Sequence, residues 1–125
     1  PKVVDKLLAE QVDGFYVCGS TGEGMSLSSD ERRSVTEAFV TATAGRVPVI
    51  VQVGHNSLAK ARALATHAQQ CGADVVSATC PSYFKIDRVP MLVECMAELA
   101  AAAPVNRWHI RQWQYSASNG APSTR

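Results

Sequence analysis

The chain has 125 residues, of which 46% are hydrophobic and 18% are charged, a composition typical of a soluble globular protein of about one domain. Its 12 basic and 11 acidic residues leave a net charge of +1, which excludes a global field that would attract nucleic acid or a membrane surface. There is no apolar run of the roughly 18 residues that a membrane span needs, and no charged-then-apolar leader, so the sequence predicts a cytoplasmic protein.

A helix and a strand are predicted first. Val4, Leu7 and Leu8 follow helical spacing, and the apolar run 14–18 is short and rich in β-formers, as in a strand buried on both faces. Ser28 with Glu31 three residues later has the form of a capping box, which predicts a second helix from there to about Gly45. The apolar stripe of that helix consists of Val35, Ala38, Phe39 and Ala42.

The same pattern then repeats. Residues 47–53 form an apolar strand, Ser57 is a plausible N-cap, and Gly72 closes the helix that follows. Residues 74–80 give a third strand, and a fourth helix is striped by Leu92, Cys95, Met96 and Leu99. Strands that begin near 14, 47 and 74 recur at the length of a βα unit with a parallel crossover.

Three βα units fit either a doubly wound sheet or part of a (β/α)₈ barrel, and length alone does not choose between them. In both architectures the loops at the carboxyl ends of the strands form the site. The loops at 19–26, 54–57 and 81–86 are therefore expected to share one rim that carries the functional residues.

The first of these loops contains the run Gly19-Ser20-Thr21-Gly22-Glu23-Gly24, in which backbone amides and hydroxyls favour the binding of a small anion. It is not a Walker A loop, because Met25 stands where that loop needs lysine. The dinucleotide fingerprint also fails, since Leu27 stands in place of the third glycine. A purely structural glycine turn remains the alternative.

Several segments together resemble the N-acetylneuraminate lyase and dihydrodipicolinate synthase family of pyruvate-dependent class I aldolases. The resemblance covers residues 1–104, in order and at family spacing, and a Ser-Thr pair in the loop is closer to the neuraminate lyase branch. Its segments are the run 19–24, Leu27-Ser28 with Glu31-Arg32, Pro48-Val49-Ile50 to Val53-Gly54, Gly72-Ala73-Asp74, the run 81–85 and the alanine-rich run 98–104.

This resemblance implies a (β/α)₈ TIM barrel in which a lysine forms a Schiff base with pyruvate, without a metal or another cofactor. By position, Ser20 and Thr21 would bind the pyruvyl carboxylate, and Thr21 would also join a hydroxyl relay. Tyr83 would relay a proton across an interface between subunits of a homotetramer. The substrates would be small 2-keto acids, with cleavage of sialic acid to N-acetylmannosamine and pyruvate as the predicted reaction.

Other polar residues near the rim receive structural interpretations. His55 is a lone loop histidine and is expected to be solvated or structural, and Glu23 would oppose an anion if it pointed inward, so a hydrogen-bonding role in the loop is expected. None of the four cysteines forms a C-x-x-C pair, which predicts buried free thiols; they are Cys18, Cys71, Cys80 and Cys95.

The resemblance ends at Pro104, and residues 105–125 are predicted to be a divergent, poorly ordered tail. His109-Ile110 keeps one dipeptide of the family pattern, but the catalytic tyrosine of that segment has no counterpart. None of Lys2, Lys6, Lys60 and Lys85 matches the Schiff-base lysine. The sequence therefore predicts an incomplete N-terminal part of the barrel with about three strands and four helices, inactive alone.

Two alternatives stay open. The first is dihydrodipicolinate synthase or another pyruvate aldolase of the same family. The second is a non-catalytic βα-repeat protein that binds a small carboxylate.

Overall fold

The computed structural model describes residues 2–81, 86 and 88–104, and the backbone of 108–111. Among these residues, no helix is both long and apolar enough to cross a membrane. The elements in chain order are α1 (Lys2–Ala9), β1 (Phe15–Val17), a 3₁₀ turn (Gly24–Ser26), α2 (Ser29–Thr43), β2 (Val49–Gln52), α3 (Leu58–Cys71), β3 (Val75–Thr79), α4 (Val89–Ala102) and β4 (Trp108–Arg111).

The helix ends follow from local side-chain chemistry. The predicted capping box is confirmed, because the Glu31 N–H donates to Ser28 Oγ at 3.2 Å and the Ser28 N–H donates to Glu31 Oε2 at 2.8 Å. The Ser57 hydroxyl caps α3 by accepting from the Lys60 N–H. Gly72 closes the same helix in the left-handed region at φ 88°, where glycine carries no steric penalty.

The four strands within the described residues are parallel and lie in chain order, β1-β2-β3-β4. The expected βα repeat is confirmed, since each strand pairs with the next one along the chain after a helical crossover. Beyond the three predicted strands, β4 pairs with β3 inside the segment predicted as a tail. Its sequence, Trp-His-Ile-Arg, has only two apolar residues, so no apolar run indicated it.

The two faces of the sheet differ in chemistry. One face is apolar and buried under the helices, with Val17, Val51 and Val76 in register across three strands. The opposite face carries Tyr16, Gln52 and Ser77, and the Tyr16 side chain is 41% exposed. The prediction that β1 is buried on both faces is therefore wrong, because its middle residue points away from the helical layer.

The helical layer supplies the rest of the core. Small residues of α3 lie against the sheet and allow close approach, and Leu99 and Met96 of α4 extend the same core. On α2, Phe39 meets Phe15 of β1 edge to face at 5.5 Å. All four cysteines are free thiols, as predicted, although only Cys18 is fully buried.

Candidate carboxylate-binding site

The expected rim is present for the loops after β1 and β2, because parallel neighbouring strands place their carboxyl ends at the same end of the sheet. Residues 82–85 of the third loop lie outside the described residues. The loop 19–26 follows β1, the loop 54–57 follows β2, and Pro81 lies just beyond β3. Ser20 and Thr21 are both exposed in the first loop. Tyr83, predicted as the proton relay, lies outside the described residues.

The loop after β1 is held in shape by its own backbone. The Gly24 N–H donates to the Gly19 carbonyl at 3.1 Å, and the Glu23 N–H donates to the Ser20 carbonyl at 3.0 Å. A Cβ on Gly24 would lie at 1.9 Å from the Cys18 carbonyl oxygen, so only glycine fits there. Cys18 itself adopts a left-handed φ of 59°, which turns the chain sharply out of β1.

These turns leave two adjacent backbone amides of the loop without a backbone partner among the described residues. Within the part of the chain that the structure describes, no backbone hydrogen bond occupies the amides of Ser20 and Thr21. Each of these residues also carries a hydroxyl. Successive unpaired N–H groups in a tight turn form a concave anion-binding arrangement, which suits a carboxylate.

Glu23 serves the loop through its main chain. Its φ of 51° lies in the left-handed region, and its carbonyl accepts from the Ser26 N–H at 2.9 Å. Its side chain caps nothing at the start of the 3₁₀ turn. The expected role in loop structure is therefore carried by the backbone rather than by the carboxylate.

Arg32 places a positive charge beneath the rim. Its side chain is 2% exposed, and its guanidinium donates to the Gly54 carbonyl at 2.9 Å and to the Gln52 carbonyl at 2.5 Å. Among the described residues, no carboxylate pairs with it. Burial lowers the pKa of this guanidinium, but arginine keeps its charge at neutral pH.

The same arginine adjoins the glycine loop. Cys18 Sγ lies 4.0 Å from the Arg32 carbonyl oxygen, and burial raises the pKa of the Cys18 thiol although the nearby Arg32 charge lowers it. The thiol is therefore a neutral packing group at the base of the loop. Sequence reasoning missed Arg32, because a charged residue in the first turns of a helix is usually exposed.

A polar network covers the sheet face that the helices leave open. Tyr16 Oη and Ser77 Oγ are 2.8 Å apart, and Gln52 Nε2 donates to Thr79 Oγ1 at 3.0 Å. The Gln52 side chain also accepts from the Gly54 N–H. Hydrogen bonds thus link β1, β2 and β3 just below the rim, and none of these contacts was indicated by the sequence.

His55 is structural, as expected. Its Nδ1 accepts from the Ser57 N–H at 2.9 Å, which requires that nitrogen to be unprotonated. Desolvation lowers the pKa of His55, and the positive charges of Lys60 and Arg32 lower it further. The histidine therefore orients the loop that starts α3.

The described lysines are exposed and lie on helices. Lys2 and Lys6 are exposed on α1, and Lys60 is exposed in the first turn of α3. None of these three lies on a strand. Lys85 falls outside the described residues.

A separate cleft of about 630 Å³ lies at the amino ends of the strands, opposite the rim. It is lined by residues that precede β1 and β2, and Arg46 and Asp5 form an ion pair of 3.3 Å within it. Amino ends of parallel strands are not where such folds bind ligands. The rim is the better candidate.

Parallel strands in chain order, with a helix on one face of the sheet after each of β1, β2 and β3, are the pattern of a (β/α)₈ TIM barrel, of which this chain forms part. The Dihydrodipicolinate synthetase family matches residues 1–100. The chain belongs to this family.

Individual relatives agree with this assignment. N-acetylneuraminate lyase A of Xenopus laevis is 46% identical over 103 residues, which cover 81% of this chain and 34% of that protein. The Proteus mirabilis N-acetylneuraminate lyase structure superposes with a TM-score of 0.85 at 36% identity, over 89% of this chain and 38% of the other.

A third match contains a ligand. YagE, a prophage protein of the dihydrodipicolinic acid synthase family from E. coli K12, is in complex with pyruvate, and has a TM-score of 0.80 and 28% identity over 85% of this chain and 35% of its own. This chain spans about a third of the length of the curated relatives it matches.

Proposed function

We propose that this chain supplies the carboxylate-binding part of a pyruvate-dependent aldolase of the N-acetylneuraminate lyase type. The reaction is the cleavage of sialic acid to N-acetylmannosamine and pyruvate through a Schiff base. Ser20 and Thr21 bind the pyruvyl carboxylate, and Thr21 takes part in the hydroxyl relay. Membership of the family supports the aldolase class, and the named lyase relatives support this branch.

The observation that carries the proposal is the pair of backbone amides at Ser20 and Thr21, two exposed residues whose N–H groups make no backbone hydrogen bond within the described residues. They lie at the carboxyl end of a parallel strand, where this fold binds its ligands. The charge of Arg32 below the same rim favours an anion over a neutral ligand.

Holding one end of pyruvate fixes the other end. Two amides and two hydroxyls on the carboxylate restrict rotation of the bound ligand, so that its keto carbon presents a constant face to an attacking amine. We propose that the amine is none of Lys2, Lys6, Lys60 or Lys85, since the described three are exposed on helices. A lysine becomes an effective nucleophile when an apolar pocket desolvates it, and exposed side chains on helices lack such a pocket.

Other parts of the proposal rest on family position alone. Tyr83 relays a proton at a neighbouring subunit's site in a homotetramer. The protein acts in the cytoplasm and needs no cofactor for the aldol step. The chain alone does not cleave sialic acid.

The test of the site is pyruvate affinity, measured by calorimetry with the purified protein. Replacing Ser20 with alanine or Thr21 with valine removes a hydroxyl donor to a charged group, worth about 1.5–3 kcal/mol, so affinity should fall at least tenfold in each variant. Thr41→Val is the matched control, because Thr41 is exposed on α2 away from the rim. Equal affinities in all four proteins would contradict the site.

The chemistry is tested by borohydride reduction in the presence of pyruvate. An imine on any lysine of this chain would add a fixed mass increment, visible by intact-mass measurement. A labelled lysine would contradict the assignment of the amine outside Lys2, Lys6, Lys60 and Lys85.

The branch is tested with substrates. Release of N-acetylmannosamine from sialic acid would support the lyase branch and contradict the proposed inactivity of the chain alone, and condensation of pyruvate with a different aldehyde would support a dihydrodipicolinate synthase-like activity. Carboxylate binding with neither reaction is the result expected of the chain alone, and it agrees with both the aldolase proposal and the binding-only alternative.

A further inference from the structure

A second cluster of reactive side chains lies on the helical layer. Glu37 of α2 faces His67 and Cys71 of α3, and one ligand atom from each lies within 4.8 Å of the other two. His67 Nε2 is 2.8 Å from Glu37 Oε1 and 3.4 Å from Cys71 Sγ. The cluster takes no part in the carboxylate site described above.

The sequence spacing explains the convergence. His67 and Cys71 are four residues apart on α3, so they lie on one face, one turn above the other. The packing of α2 against α3 brings Glu37 to the same face. Arg33 lies four residues before Glu37 on α2, but its ion pair is with Asp30, at 3.6 Å.

These three groups are the donor types that zinc takes in proteins: an imidazole nitrogen, a thiolate sulfur and a carboxylate oxygen. With Zn–N and Zn–O distances of about 2.0 Å and Zn–S of about 2.3 Å, tetrahedral geometry separates N from O by roughly 3.3 Å and N from S by roughly 3.5 Å. The observed separations of 2.8 and 3.4 Å are within about 0.5 Å of both values. The Glu37 oxygen and the Cys71 sulfur also lie within 4.8 Å of each other.

Charge also favours a cation here. The Glu37 carboxylate and the Cys71 sulfur lie within 4.8 Å of each other, so a thiolate there would be repelled by the carboxylate when no cation is present. A divalent cation reverses this, because it binds the thiolate directly and offsets the carboxylate. The Glu37 side chain is 60% exposed and that of His67 18% exposed, which leaves an entry path from solvent.

We propose that Glu37, His67 and Cys71 form a surface site for a zinc-class divalent cation that clamps α2 to α3. The metal takes Nε2 of His67, Sγ of Cys71 and a carboxylate oxygen of Glu37, with water in the fourth position. Binding releases the thiol proton of Cys71 to solvent. Soft thiolate and imidazole donors select zinc over magnesium or calcium.

The site's place in the fold gives it a structural role. His67 is nine residues into α3, or about 14 Å from the end that begins at the rim. Glu37 is eight residues into α2, about 12 Å from its rim end. At that distance the cation acts on helix packing and not on the carboxylate loop.

Cobalt(II) is the probe for ligand identity, because a cobalt–thiolate bond gives a charge-transfer absorption. Chelator-treated protein titrated with cobalt should develop this band at one equivalent. Cys71→Ser should abolish it, and Glu37→Gln should weaken binding at least tenfold. Cys95→Ser is the matched control, a half-buried thiol on α4, and should leave the band unchanged.

Zinc should also raise the thermal unfolding midpoint of the wild-type protein and of Cys95→Ser, but not that of Cys71→Ser. Far-ultraviolet circular dichroism checks that each variant folds. Glu37 is exposed, so Glu37→Gln should not disturb the core. A missing band in the wild-type protein, or a band that persists in Cys71→Ser, would overturn the proposal. So would equal zinc stabilisation of wild type and Glu37→Gln.

Discussion

Replacing Gly24 with alanine should disable the glycine loop, whereas the same change at Gly22 should be tolerated. A Cβ on Gly24 would meet three backbone atoms of Cys18, at 1.9, 2.5 and 2.9 Å. A Cβ on Gly22 would have its nearest neighbour, the Gly19 carbonyl oxygen, at 3.6 Å, which is ordinary contact. The two substitutions add the same methyl group to the same loop.

The magnitude follows from the clash. To bring the Gly24 Cβ to even 3.0 Å from the Cys18 carbonyl oxygen, the backbone must separate by about 1.1 Å, which breaks the Gly24 N–H bond to Gly19. Overpacking of this kind costs about 1–3 kcal/mol, and the lost hydrogen bond adds roughly 1 kcal/mol. Gly22→Ala should be neutral or stabilising by up to about 1 kcal/mol, because alanine restricts the unfolded chain.

Two measurements check this prediction. Urea unfolding should show Gly24→Ala less stable than wild type by about 2–4 kcal/mol, with a thermal midpoint lower by roughly 10 °C. Pyruvate affinity should fall at least tenfold in Gly24→Ala, because a shift of about 1 Å moves the amides of Ser20 and Thr21. Equal stability and equal affinity in both variants would refute the argument that the loop has one permitted shape.

Two further predictions concern the residues that support the rim. Arg32→Met removes both donors to the rim carbonyls and should lower the free energy of unfolding, measured in urea, by about 2–4 kcal/mol. Each unsatisfied buried acceptor costs about 1–3 kcal/mol, and removal of the buried charge offsets part of this cost. The control Arg62→Met, at an exposed position, should change the free energy of unfolding by less than about 0.5 kcal/mol, and similar losses in the two variants would contradict the role of Arg32. The folded-state pKa of His55 lies below its ordinary 6.5, so as pH falls the unfolded chain takes up the proton before the folded protein does. The contribution of neutral His55 to folding stability is therefore complete above about pH 7 and is lost as pH falls through the folded-state pKa. Thermal midpoints measured from pH 7.5 to 5 should therefore fall less steeply in His55→Gln than in wild type, and parallel curves would show that the bond to Ser57 does not titrate.

The sequence was most informative where structure is decided locally. The Ser28 and Glu31 pair, Ser57 and Gly72 all act within four residues of themselves, so a pattern of neighbouring letters is enough to place the helix ends. The rim follows from topology, because parallel strands at regular intervals send successive loops to one edge. Ser20 and Thr21 lie on that edge, as predicted, while their ligand is still a proposal.

Contacts between distant residues were not predictable in this way. Tyr16 reads as one more β-former in an apolar run, yet its hydroxyl meets Ser77, 61 residues later. Arg32 reads as a solvated helix residue, and its burial depends on carbonyls 20 and 22 residues away. The left-handed turn at Cys18 has no sequence signal, since cysteine does not favour that region.

The polar face of the sheet changes how the folding of such a barrel can be pictured. The Tyr16–Ser77 and Gln52–Thr79 bonds are made entirely within the first three strands, so this face satisfies its own hydrogen bonds before any later strand is added. When β3 is complete, this face therefore holds hydrogen-bonded polar side chains beside Ile50 and Val75, instead of a continuous apolar surface. A one-residue slip would put these side chains under the helices, so the same bonds act as a register lock during synthesis.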